Sequence, residues 1–260
     1  MPHCGAALSR PVSRYRDPVA TSGALRPLPG SPDAVPPVTG VGRPPWWLLV
    51  VAAIVTVAVT VDLLAGGVLE ALDERVSSVV DRWDLRHSPL YWPVWVFTQA
   101  GGRGTVLIVL AGLVAWTAVR RRTFVPALRI VVALVLLTVA VYAFKWGTGR
   151  TAPEYPGSFF HRDGSSYPSG HVTNAVLMWG VARWQAVEFG LPARAQRAFW
   201  VLAVAGPFVT GVTMVALNFH WVTDVVAGLA VGVLLLGVVH ALDALPVSRW
   251  ARARAGRHQL

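Results

Sequence analysis

Apolar residues dominate six stretches of this chain, with short polar stretches between them. The runs cover about 46–65, from after Pro93 to Val119, 124–144, from Ser169 to about Trp184, 198–217 and 222–242. An α-helix rises ~1.5 Å per residue, so runs of roughly 20 residues match a hydrocarbon core ~30 Å thick. The pattern predicts an all-α integral membrane protein, a six-helix bundle. Between the first and second runs the rhythm changes. Leu69, Leu72, Val76, Val79 and Val80 recur at helical spacing among Glu70, Asp73, Glu74, Arg75, Asp81, Arg82, Asp84 and Arg86. That predicts a short amphipathic helix on the membrane surface within 66–92. Gly101-Gly102-Arg103-Gly104 interrupts the second run near its start.

The ends of the chain are different. Residues 1–44 are rich in Pro, Gly, Ser and Arg, and 246–260 carry Arg249, Arg252, Arg254 and Arg257. These are expected to be a disordered tail and a basic tail flanking a bundle over 45–245. No apolar core that would mark a cleavable signal peptide stands between Met1 and Pro45.

Composition supports the membrane assignment. Hydrophobic residues make up 54% of the 260 residues and charged ones 14%, with a mean hydropathy of +0.52. A soluble domain is rarely so apolar. The net charge of +10 raises the question of nucleic acid. The basic residues, however, are scattered between apolar runs rather than gathered on one face, and a membrane protein with basic cytoplasmic segments accounts for them. A single Cys, Cys4, excludes an internal disulfide and a Cys-based metal cluster.

Charge also orients the chain. Six spans put the N-terminal tail, Arg120-Arg121-Arg122, the 185–197 loop and the C-terminal tail on one side. All four are Arg-rich, so that side is expected to be cytoplasmic. Three polar islands then fall together on the outer face. They are Lys145 to Arg150 at the end of span three, Tyr167-Pro168-Ser169-Gly170-His171 at the start of span four, and His220 to Asp224 at the entrance to span six.

Each island has two readings. Lys145 is the only lysine beside 22 arginines. It is either an interface cation whose stem snorkels, or an ammonium that neutralises phosphate oxygens. Arg150, in a Gly-rich turn, is either a solvated loop residue or a forked donor to the same anion. Ser169-Gly170-His171 opens a helix, whose free N–H groups and dipole favour an anion; Ser169 can cap it and Gly170 lets a ligand approach. A capped helix start does not by itself explain His171. His220 and Asp224 are four apart, in contact on one helical face, so the carboxylate can fix the imidazole tautomer and leave the other nitrogen as nucleophile or base. A self-satisfied polar pair is the plainer reading, set against the cost of ionisable groups at a span entrance.

Together the islands resemble the three signature motifs of the type 2 phosphatidic acid phosphatase family, the lipid phosphate phosphatases whose site is similar to that of vanadium haloperoxidases. The second motif is intact at Pro168-Ser169-Gly170-His171, and the third keeps His220 and Asp224 followed by Val225-Val226-Ala227-Gly228. The first keeps Lys145, Gly149-Arg150 and Pro153. Ala152 stands where the family has Arg, and Thr213-Met214 where it has Ser-Arg. The resemblance implies a lipid phosphate or pyrophosphate phosphatase of the outer membrane face that uses no metal or other cofactor. His220 would be the nucleophile, oriented by Asp224, and His171 the acid and base. Lys145, Arg150, Ser169 and Gly170 would hold the phosphate, with Arg103 or Arg162 covering for the missing arginines. The implied partners are the lipid substrate and the bilayer, and no nucleic acid. The two departures keep open a weakened member that binds anionic head groups or a partner protein. A proton-coupled transporter would place its ionisable groups near mid-span, whereas here they cluster at span ends.

Overall fold

The computed structural model describes residues 42–154, 159–161 and 163–245. Nearly all of the expected tails, and Arg162, lie outside these described residues. The described residues form eight α-helices: α1 Trp46–Leu64, α2 Val68–Asp81, α3 Tyr91–Thr98, α4 Arg103–Arg121, α5 Val125–Thr148, α6 Gly170–Glu188, α7 Ala193–Ala216 and α8 Val222–Ala244. Five of them, α1, α4, α5, α7 and α8, are long and apolar enough to cross a membrane.

The remaining expected span is α6. Its 19 residues are long enough at ~1.5 Å each, but it is more polar than the others. The reason is its position. Helices α4, α5, α7 and α8 all pack against it, and 13 of its residues are buried. A helix walled by protein rather than lipid can carry Thr173, Asn174 and Gln185. Its apolar side chains, such as Leu177 and Met178, form the main core with Leu110 and Leu113 of α4, Leu137 of α5 and Leu235 of α8. The outer helices turn apolar residues the other way: Ile54, Val57 and Val61 of α1 and Leu128, Val131, Val135 and Val139 of α5 are exposed, as a lipid-facing surface requires.

Helices α6 and α8 touch almost backbone to backbone. Gly228 and Gly232, one turn apart on α8, face α6; a Cβ on Gly228 would lie 2.9 Å from the Ser169 carbonyl oxygen, and one on Gly232 2.6 Å from Val176 Cβ. Small residues at that spacing let helices approach closely. The contact brings the two N-termini together, and Ser169 N donates to the Asp224 carbonyl at 3.0 Å.

Two expectations need correction. The second span is not one helix: α3 stops at Thr98 and α4 starts at Arg103. At the break, the Gly101 backbone lies so close to α6 that a Cβ would fall 2.4 Å from the His171 carbonyl oxygen. Asn174 Nδ2 donates to Gly101 O at 2.9 Å and Trp179 Nε1 to Ala100 O at 2.7 Å. Helix α2 forms where the amphipathic pattern predicts, but it packs on α1, α7 and α8 and buries Asp73 along with Val80. Ser77 Oγ also donates to Asn218 Oδ1 at 2.8 Å. The pattern counts Asp73 as a surface acid; its partners, described below, take it inside.

A second polar cluster ties the start of α5 to the ends of α6 and α8. Arg129, 5% exposed, donates to Glu188 Oε2 at 2.8 Å and Asp243 Oδ1 at 2.9 Å. Its guanidinium lies 4.0 Å from the Trp184 ring centroid, and His240 stacks on that indole at 3.8 Å. A buried guanidinium needs this much pairing. The three islands are at the other ends of these helices.

Candidate active site

The site begins where α5 stops. Gly149 adopts a left-handed φ of +60° after Thr148, and its N–H bonds Lys145 O at 2.9 Å. The turn ends the helix and sends the chain back across the bundle. Thr151 N donates to Phe159 O and Ser166 N to Arg150 O, both at 2.8 Å. A cis peptide joins Tyr167 to Pro168 just before α6. The Tyr167 hydroxyl bonds Thr60 Oγ1 of α1 at 2.7 Å, and burial pushes its ionisation up. It therefore stays a neutral hydrogen-bonding group.

This loop roofs a cavity of about 550 Å³ whose lining includes Arg103, Lys145, Ser166, Gly170, His171 and His220. All three islands thus meet at one end of the bundle, as expected. Lys145 comes from the last turn of α5, and its Nζ donates to Ser165 O. Gly170 and His171 are the first two residues of α6. Their backbone N–H groups precede the helical ladder and can point donors at an anion. Among the described residues the His171 ring has no hydrogen-bond partner, so its nitrogens are available to a ligand.

His220 lies just before α8, and Asp224 is the third residue of that helix. His220 Nδ1 is 3.3 Å from Asp224 Oδ2 and 3.2 Å from Ser166 Oγ. The same carboxylate oxygen accepts from Ser166 Oγ at 2.5 Å and from Trp221 N at 3.1 Å. A carboxylate held this way fixes the imidazole with its proton on Nδ1. Nε2 then has its lone pair free, and among the described residues it has no partner. The side chain of His220 is 11% exposed and that of Asp224 is fully buried.

Two expected phosphate ligands are elsewhere. Arg150 is fully buried and does not line the cavity. Its Nη1 donates to Asp224 Oδ1 at 2.7 Å and to Thr223 Oγ1 at 2.6 Å, and its Nη2 to Asp73 Oδ2 at 2.6 Å. Thr223 also reaches Asp73 through its N–H at 3.1 Å and through its hydroxyl. Two carboxylates outcompete an anion in the cavity for this guanidinium, which makes Arg150 a support for Asp224. Ser169 is also fully buried. Its N–H is taken by Asp224 O, and its side chain does not cap α6; the preceding-residue geometry aims it at α8 instead. At the other altered position Met214 is buried, while Ala152 faces the cavity.

Ser166, Asp73 and Thr223 were not singled out from the sequence. The only trace of Asp73 was an acid in the middle of an otherwise regular amphipathic helix. Ser166 carries no signal beyond lying next to the Pro-Ser-Gly-His stretch.

Comparison with known proteins follows the same lines. Residues 126–245 match the PAP2 superfamily, a segment that contains Lys145, His171, His220 and Asp224. Phosphatidylglycerophosphatase B of Bacillus subtilis (strain 168) is 32% identical over 96 residues, which are 36% of this chain and 46% of that protein. The match therefore spans less than half of the curated relative's length. The crystal structure of a transmembrane PAP2 type phosphatidylglycerolphosphate phosphatase from Bacillus subtilis is similar over 76% of this chain and 94% of that one, with a TM-score of 0.59 at 22% identity. It has the same fold. Motifs, matched segment and fold agree: this chain belongs to the PAP2 superfamily.

Proposed function

We propose that this protein is a membrane phosphatase that hydrolyses a lipid phosphate or pyrophosphate through a phosphohistidine on His220. The observation that supports this best is the pairing of two histidines on one cavity, one oriented by a buried carboxylate and the other unpaired. His220 Nε2 attacks phosphorus as the bond to the leaving oxygen breaks. Protonated His171 gives its proton to that oxygen. Neutral His171 then takes a proton from water, whose oxygen attacks the phosphohistidine, releasing inorganic phosphate and free His220. Lys145 and the N–H groups of Gly170 and His171 offset charge on the equatorial oxygens. The route needs no metal. A cavity at the end of the bundle, beside exposed apolar helices, suits a substrate whose tail stays in the bilayer.

The test is phosphate release from a panel of lipid phosphates and pyrophosphates by purified protein in detergent, with and without EDTA. Turnover well above His220→Ala, unchanged by EDTA, is the expected result. Wild type no faster than His220→Ala on every substrate would replace the enzyme by a head-group or partner-binding relative.

The site is proposed to face outward, with both tails cytoplasmic. The Arg-rich segments support this orientation. Reporter fusions after Arg122 and after Leu260 are both expected to report cytoplasm, and an external signal from either overturns it.

A further inference from the structure

The break between α3 and α4 is expensive for a membrane helix, because it interrupts the backbone ladder where water is scarce. The chain nevertheless builds it with care. Asn174, 1% exposed, spends its side-chain donor on Gly101 O, and Trp179 spends its indole N–H on Ala100 O. Gly101 itself is pressed against the His171 carbonyl. Two residues further on, Arg103 opens α4 and lines the cavity.

Arg103 is the cation left over at this site. Among the described residues it makes no hydrogen bond and no ion pair, unlike Arg150, Arg129 and Arg86, which are all bound to carboxylates. Of the carboxylates on the cavity wall, Glu154 is held by Arg86 and Asp163 lies 3.7 Å from His161. Among the described lining residues, Lys145 is the other cation, and Ser165 O already takes one of its donors. A phosphate monoester brings two negative charges on three terminal oxygens, more than one partly engaged ammonium can match. The charges of Arg103 and Lys145 also reach each other and His171.

We propose that Arg103 is a phosphate-binding residue of this site, and that the Gly101–Arg103 break exists to hold its guanidinium beside His171. The inference rests on the phosphatase reading for its reaction, though not for its binding step. A planar fork can bridge two oxygens, which Lys145 cannot do. It also takes the charge-neutralising position that Ala152 leaves empty on the same wall.

The experiment uses the full chain in detergent and two readouts, hydrolysis of a lipid phosphate and protection from thermal unfolding by inorganic phosphate. Arg103→Gln is expected to lower turnover about 10²–10³-fold, the usual effect of losing one oriented donor, and to weaken phosphate protection at least about tenfold. Arg103→Lys should recover only part of either. Adding methylguanidinium to Arg103→Ala should restore some turnover, which a purely structural role would not allow. Asn174→Leu, which unpins the break, should resemble Arg103→Gln in phosphate affinity while leaving the unliganded fold cooperative. An Arg103→Gln protein equal to wild type in both readouts overturns the inference and leaves the phosphatase reading standing. A wild type that hydrolyses nothing, yet is protected by phosphate in an Arg103-dependent way, sinks the phosphatase reading and keeps the inference. A wild type that phosphate does not protect, and whose turnover Arg103→Gln does not change, overturns it outright.

Discussion

His220→Ala is expected to abolish phosphate release, and His171→Asn to leave a labelled protein behind. The two histidines differ in surroundings, and the difference assigns their steps. His220 has its Nδ1 side occupied by Asp224 and Ser166, so Nε2 alone faces the cavity. Without that nitrogen there is no covalent route, and turnover should fall by about 10⁴-fold or more. His171, with neither nitrogen engaged, can carry a proton in either direction. Its loss should cost about 10²–10⁴-fold, but unequally on the two halves of the reaction. A substrate with a good leaving group, such as an aryl phosphate, needs little help in the first half. The second half still needs a base for water. Acid-quenched or base-quenched mixtures of His171→Asn with labelled aryl phosphate should therefore hold an acid-labile, base-stable phosphoryl group on His220. Label that survives His220→Ala, or a His171→Asn enzyme that never accumulates label while still turning over, would assign the nucleophile elsewhere.

The second large effect is expected from residues that touch no substrate. Asp73→Asn and Arg150→Gln each leave a buried charge without its partner, which costs roughly 3–5 kcal/mol. Both should also lower kcat with little change in KM, because Asp224 loses the guanidinium that fixes it while the cavity wall is unchanged. Because Arg150 bridges both acids, the two substitutions share one network and should not add. The double variant is expected to be less destabilised than the sum of the singles. Thermal unfolding of the four proteins measures the coupling. Additive losses, or an Arg150→Gln variant that raises KM alone, would return Arg150 to the cavity as a direct phosphate ligand.

The sequence revealed those parts of the site that depend on short-range spacing. Four residues on a helix put His220 against Asp224, and span counting brought Lys145, His171 and His220 to one end of the bundle. What it concealed depends on partners distant in the chain. Arg150 looked like a loop cation because Asp73, the acid that draws it inward, lies 77 positions away on a helix whose pattern reads as surface. Ser169 looked like a cap because nothing local says that its N–H will meet the Asp224 carbonyl. The interruption at Gly101 was visible, but not its purpose, since Asn174 and Trp179 reach it from a different helix. Helix α6 was recognised as a span although it falls below the hydropathy of its neighbours, because its polar residues are buried by protein.

The arrangement behind His220 has an electrostatic consequence for the proposed route. Asp73, Arg150 and Asp224 together hold two carboxylates against one guanidinium, all fully buried or nearly so. The cluster thus carries one uncompensated negative charge, which solvent can barely screen. A neutral imidazole in front of it leaves that charge unmatched. Once Nε2 is bonded to phosphorus and Nδ1 keeps its proton, the ring becomes a cation, and ring plus cluster sum to zero. The protein interior is therefore closer to charge balance in the phosphorylated intermediate than in the resting state. The fold carries a standing bias toward the covalent intermediate, built in before any substrate arrives.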